Sequence, residues 1–88
     1  MRAMSYRVLF QPSAVRELRK LSRDVQVRIM ARIEALAKEP RPAGVKKLEG
    51  LKELCRVRVG DYRVVYQIRD ERLVVLVVRI AHRRDAYR

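Results

Sequence analysis

The chain predicts an α+β fold: a short N-terminal strand, an αα-hairpin, then a three-stranded antiparallel meander, with both helices on one face of the sheet. Two periodicities and one turn carry that prediction. Between Pro12 and Ala37 apolar residues recur every three or four positions, the spacing of one helix face. From Leu54 onward the period falls to two, the spacing of a strand buried on one side. Gly60-Asp61 lies between two such runs and suits a two-residue hairpin, because glycine tolerates the positive φ that primed turns need.

Taken in order, Tyr6 to Phe10 is rich in strand formers and reads as the first strand. Pro12 sits where a helix begins, with its missing N–H costing nothing there. Val15, Leu18 and Leu21 then mark a short amphipathic helix over about Pro12 to Leu21. Ser22 is placed to cap a second helix, with Asp24 in its first turn. Val25, Ile29, Ile33, Leu36 and Ala37 form its apolar stripe, and Pro40 and Pro42 end it. Pro40 to Lys52 reads as a loop. The meander follows as Leu54 to Val59, Tyr62 to Arg69 and Arg72 to Ile80. Asp70-Glu71 is a poorer turn than Gly60-Asp61, so the second connection is expected to be the longer one.

Length and composition bound the function. With 88 residues the chain holds one domain, and 49% hydrophobic content is enough to build its core. Lys and Arg total 22 against 10 Asp and Glu, a net charge of +12. Such an excess implies an anionic partner: nucleic acid, an acidic protein or a membrane surface. The longest apolar run, Leu73 to Val78, is far shorter than the ~20 residues of a membrane helix. Cys55 is the single cysteine, so no internal disulfide forms. With no signal-peptide pattern at the N-terminus, a reducing cytoplasm is the expected compartment. One Cys and one His cannot complete a zinc site, and neither paired carboxylates, a nucleophile triad nor a glycine-rich phosphate loop is present. No metal and no cofactor is expected.

Turn parity sorts the meander into two faces. With Gly60-Asp61 as the turn, Val59 pairs with Tyr62, Arg58 with Arg63 and Val57 with Val64. Arg56, Arg58, Arg63, Val65 and Gln67 then share one face. Cys55, Val57, Val59, Tyr62, Val64, Tyr66 and Ile68 share the other, which receives the helices. Carried across the second turn, the same period puts Val74, Leu76, Val78 and Ile80 on the arginine face and Leu73, Val75 and Val77 opposite. Arginines facing each other across a hairpin repel, so an anion is expected between them. The aliphatic residues on the same face suggest a protein partner as well.

Three segments carry a family resemblance. K-L-x-G (Lys47 to Gly50), R-V-R-V-G-D-Y-R-V-V-Y-Q-I (Arg56 to Ile68) and I-A-H-R-R-D-A-Y-R (Ile80 to Arg88) resemble the RelE/ParE superfamily of bacterial and archaeal toxins, and its RelE branch most closely. The resemblance covers nearly the whole chain and implies a RelE-like curved sheet. It implies a ribosome-dependent endoribonuclease that cuts mRNA in the A site, the 2′-hydroxyl attacking the adjacent phosphate. It also implies an acidic cognate antitoxin, contacts to ribosomal RNA, and a toxin–antitoxin hetero-oligomer that binds operator DNA through the antitoxin.

By the same resemblance Arg56 and Arg58 clamp the scissile phosphate, and Arg63, after Tyr62, is the phosphate-binding arginine with a bidentate fork. Arg83 matches the arginine that supports the leaving 5′-oxygen, and Tyr87 the tyrosine that stacks on a base or helps activate the 2′-hydroxyl. Lys46, Lys47, Arg79, Arg84 and Arg88 are further RNA-binding candidates. Positions 56 and 58 are often lysine in the RelE pattern, and arginine is a poor general acid or base. His82 is the candidate to move a proton instead. The alternatives are a ParE-like inhibitor of DNA gyrase, which is no nuclease, and an inactive nucleic-acid-binding domain.

Overall fold

The computed structural model describes residues 5–42, 45–47, 54–82 and Arg84. Strand β1 (Arg7–Phe10) leads into α1 (Pro12–Arg19) and α2 (Arg23–Lys38). Strands β2 (Lys46–Lys47), β3 (Leu54–Val59), β4 (Tyr62–Arg69) and β5 (Val74–His82) follow. The sheet order is β1-β5-β4-β3-β2. β3, β4 and β5 form the antiparallel meander, and β1 joins its far edge parallel to β5. Four strands thus make a mixed sheet, extended by the two-residue β2.

The helices begin and end for local reasons. Pro12 occupies the first turn of α1, and the Ser22 hydroxyl accepts a hydrogen bond from Val25 N (3.4 Å) to cap α2. α1 ends at Arg19, two residues before the predicted limit, and Lys20 N bonds back to Glu17 O to close its last turn. α1 packs along β5, while α2 reaches β1, β5 and β3. Ala14, Ile29, Ile33 and Leu36 from the helices meet Val57, Val64, Tyr66, Ile68, Val75, Val77 and Ile80 from the sheet in one buried cluster. Truncating a fully buried isoleucine such as Ile29 or Ile33 would cost about 2–5 kcal/mol through lost transfer energy and the cavity left behind. Ala14 is more deeply buried than Val15, since its small side chain lets α1 approach the sheet closely.

Three expectations need correction. The segment Pro40 to Lys52 is not all loop: Lys46 and Lys47 pair with Arg56 and Cys55 as β2. Leu73 is not in a strand. It closes the three-residue turn Asp70–Arg72 in the left-handed region at φ 53°, and its N–H bonds Asp70 O. Ile80 does not lie on the arginine face. A bulge shifts the register between Val65 and Tyr66, so that Val65 pairs with Arg79 but Tyr66 with Val77. Val78 is the extra residue, and beyond it every side chain changes sides. Ile80 therefore pairs with Val64 and is buried in the core.

Polar contacts at two places around Pro40 and Asp70 help tie the N-terminal half to the sheet. The Tyr66 hydroxyl, buried in the core, donates to Pro40 O at 2.6 Å. Burial chiefly, with Cys55 adding to it, raises the Tyr66 phenol pKa far above its ordinary value. On the surface, Arg41 binds both oxygens of Asp70 (3.2 and 2.9 Å) and the Tyr6 hydroxyl donates to Oδ1 at 2.6 Å. β1, the segment after α2 and the β4–β5 turn are joined by that group.

Candidate active site

The Gly60-Asp61 turn sets the geometry of the candidate site. Gly60 adopts φ 60°, a left-handed value that side chains other than glycine adopt only with strain. The predicted register holds: Val59 faces Tyr62, Arg58 faces Arg63 and Val57 faces Val64. Arg56, Arg58 and Arg63 therefore emerge from one face, while Val57, Val64 and Tyr66 are buried on the other. Arg58 is exposed, and Arg56 and Arg63 are half-buried. Arg58 Nε donates to Gly60 O at 3.2 Å, which holds its stem along the hairpin. Two guanidinium groups rooted at directly opposed backbone positions, with a third two residues along, give forked donors suited to a tetrahedral anion.

Neighbouring cations were less legible. From α2, the Arg28 guanidinium lies beside the turn, 3.9 Å from where a Cβ on Gly60 would stand. Nothing in the sequence marks it, because it is 32 positions from the glycine and has the pattern of ordinary helix-surface charge. Lys46 stands in register with Arg56, so β2 brings its backbone beside the arginine strand.

The end of β5 divides the remaining candidates. Ala81 pairs with Arg63 and His82 with Tyr62. His82 is thus on the helix side of the sheet, across from Arg58 and Arg63. Its ring meets Tyr62 edge-on with centroids 5.2 Å apart, and its Nδ1 accepts from Arg84 N at 3.2 Å. Arg79 is in register with Val65 and donates through Nε to Glu17 at 3.2 Å. Glu17, Lys20, Tyr62, Arg79 and His82 line a cavity of about 260 Å³ between α1 and β5. Arg84 is exposed. Arg83, Tyr87 and Arg88 lie outside the described residues, as do the side chains of Lys46 and Lys47.

Among the described residues, no group of three or more His, Cys, Asp or Glu side chains is arranged to hold a metal ion. No described helix is long and apolar enough to cross a membrane.

Known proteins show where the chain belongs. Residues 8–87 match the family model described as the ParE toxin of the type II toxin–antitoxin system parDE. The chain is 36% identical over 90 aligned residues to toxin RelG of Mycobacterium tuberculosis, a match spanning 97% of this chain and 99% of that protein. It is 30% identical over 82 residues to the mRNA interferase toxin RelE of Escherichia coli K12, spanning 91% and 85% respectively. Among solved structures, RelE in the archaeal RelE–RelB complex of Pyrococcus horikoshii superposes with a TM-score of 0.81 at 33% identity, covering 94% of this chain and 100% of that one. The intact E. coli RelBE toxin–antitoxin complex gives 0.79 at 30% identity, covering 89% and 96%. The chain belongs to the RelE branch of the RelE/ParE superfamily and is the toxin of a type II toxin–antitoxin system.

Proposed function

We propose that the protein is a ribosome-dependent endoribonuclease that cleaves mRNA in the A site. The observation that carries this reading is the register that gathers Arg56, Arg58 and Arg63 on one sheet face. In the reaction the RNA 2′-oxygen attacks the adjacent phosphorus, its proton leaves to a base, and the 5′-oxygen departs and is protonated. The products are a 2′,3′-cyclic phosphate and a 5′-hydroxyl. Negative charge gathers on the non-bridging oxygens, and the three guanidinium groups neutralise it from fixed positions. Arginine stays charged throughout, so these side chains act by position and charge and not by proton transfer. Arg83, by its match to the family pattern, supports the leaving oxygen, and Tyr87 contacts a base or the 2′-hydroxyl.

The same face supports a reading for the antitoxin. Leu9, Leu76, Gln67 and Leu54 stand side by side across β1, β5, β4 and β3, and Leu9 is 46% exposed. An acidic antitoxin segment laying apolar side chains on this row and carboxylates on the arginines would block the site and offset the +12 charge. The hetero-oligomer would reach operator DNA through the antitoxin. That RelE proteins are found in complex with RelB supports a partner of this kind.

The family model's ParE name keeps a gyrase inhibitor as the competing reading. Inducing the toxin in cells and following both messages and chromosome separates the two. A-site cuts in translated messages with intact DNA support the proposal. Gyrase-linked DNA breaks with intact messages would replace it.

A further inference from the structure

β1 pairs with β5 only as far as Val77, where Gln11 N donates to Val77 O. Beyond that point no described strand pairs with this edge of β5, and α1 lies alongside it instead. Ser13 Oγ donates to Val78 O at 3.2 Å, holding the bulged residue itself. One turn along α1, Glu17 Oε1 accepts from Ile80 N at 2.7 Å, and Oε2 accepts from Arg79 Nε at 3.2 Å. The Glu17 carboxylate replaces a missing strand, satisfying an edge N–H that would otherwise be left beside the core.

The bulge decides which β5 side chains share the arginine face. A strand of unbroken period would put Ile80 among the arginines, whereas the bulge buries Ile80 and places Ala81 opposite Arg63. We infer that Glu17 is a positioning residue for RNA cleavage, fixing the end of β5 so that Ile80 stays in the core and Ala81 stands opposite Arg63. The inference rests on the endoribonuclease reading above and adds a residue from α1 that touches neither phosphate nor base. Sequence alone gave no signal for it, because its partners are 62 and 63 positions away.

The test uses the full-length toxin on programmed translating ribosomes, with amide exchange measured on the free protein. Glu17→Ala should lower kcat for mRNA cleavage by about tenfold to a hundredfold, the scale of a misplaced catalytic group. KM for ribosomes should stay within about twofold, since uniform binding is untouched. The Ile80 amide should exchange at least about tenfold faster. Glu17→Gln keeps an acceptor for Ile80 N–H and should restore most of kcat. Glu17→Asp keeps the charge but withdraws the carboxylate by one methylene, and should reproduce the kcat loss. Faster Ile80 exchange with unchanged kcat in the Ala and Asp variants would overturn the positioning role. Unchanged Ile80 exchange would overturn the clamp itself. A wild-type protein that leaves messages intact would instead overturn the endoribonuclease reading, and Ile80 exchange would still judge the clamp.

Discussion

Arg58 and Arg63 stand directly opposite each other across the β3–β4 ladder, two like charges at the tip of a tight hairpin. In a sheet selected only for stability this pairing is unfavourable, because facing cations repel. The cost is local, and an anion bound between the two removes it. On the proposed mechanism, the pair links stability and activity with opposite signs.

Arg58→Thr should show that opposition. Removing the repulsion and adding a β-branched residue should raise stability by about 0.2–1 kcal/mol, partly offset by the lost bond to Gly60 O. mRNA cleavage should fall by at least about tenfold. Urea denaturation and ribosomal cleavage on the same preparation check both signs.

The salt dependence of RNA binding reports the number of phosphates neutralised. Contact with four phosphates by Arg56, Arg58, Arg63 and one further cation predicts a log–log slope of roughly −3 for single-stranded RNA. Fluorescence anisotropy with a short oligonucleotide over a range of KCl measures it. Each arginine-to-alanine change should flatten the slope by about 0.7.

The hairpin register was readable from sequence because it depends on neighbours: Gly60 and Asp61 dictate the turn, and period two does the rest. What escaped depends on distant residues. Period two alone places Ile80 on the wrong face, because α1, through Ser13 and Glu17, stabilises a bulge at Val78 that no local pattern announces. β2 escaped because two residues between prolines and glycines have no detectable period, and its partner Arg56 fixes it only in three dimensions. The arginine cluster was therefore legible as a set, whereas Arg28 beside the turn and Glu17 behind β5 were not.

Asp70 makes stability depend on pH at both extremes. Arg41 first, and then the Tyr6 hydroxyl, hold the Asp70 carboxyl below its ordinary value of 3.8. A depressed carboxylate contributes stability above its unfolded pKa and loses it as pH falls through the folded one. Tyr6 is raised above 10.0, chiefly by its bond to Asp70. Its contribution is present below pH 10.0 and lost as pH rises through the folded value. Thermal melts should show Asp70→Asn lowering Tm near neutrality and weakening its dependence on pH at both ends. The surface location keeps the effect small and sensitive to salt.

Tyr66→Phe isolates a structural tyrosine from any catalytic one. Loss of the buried hydroxyl deprives Pro40 O of its 2.6 Å donor and should cost about 1–3 kcal/mol. Cleavage measured below the melting transition should stay within about threefold of wild type, since Tyr66 is buried on the face opposite the arginines. Parallel unfolding and activity measurements check this.

Mapping mRNA cleavage on programmed ribosomes with wild-type toxin and Arg63→Ala tests the phosphate clamp itself. Wild-type toxin should give A-site cuts bearing 2′,3′-cyclic phosphate and 5′-hydroxyl ends, reduced by at least about a hundredfold in the variant, with circular dichroism unchanged. Cleavage by a folded Arg63→Ala protein at the wild-type rate would contradict it.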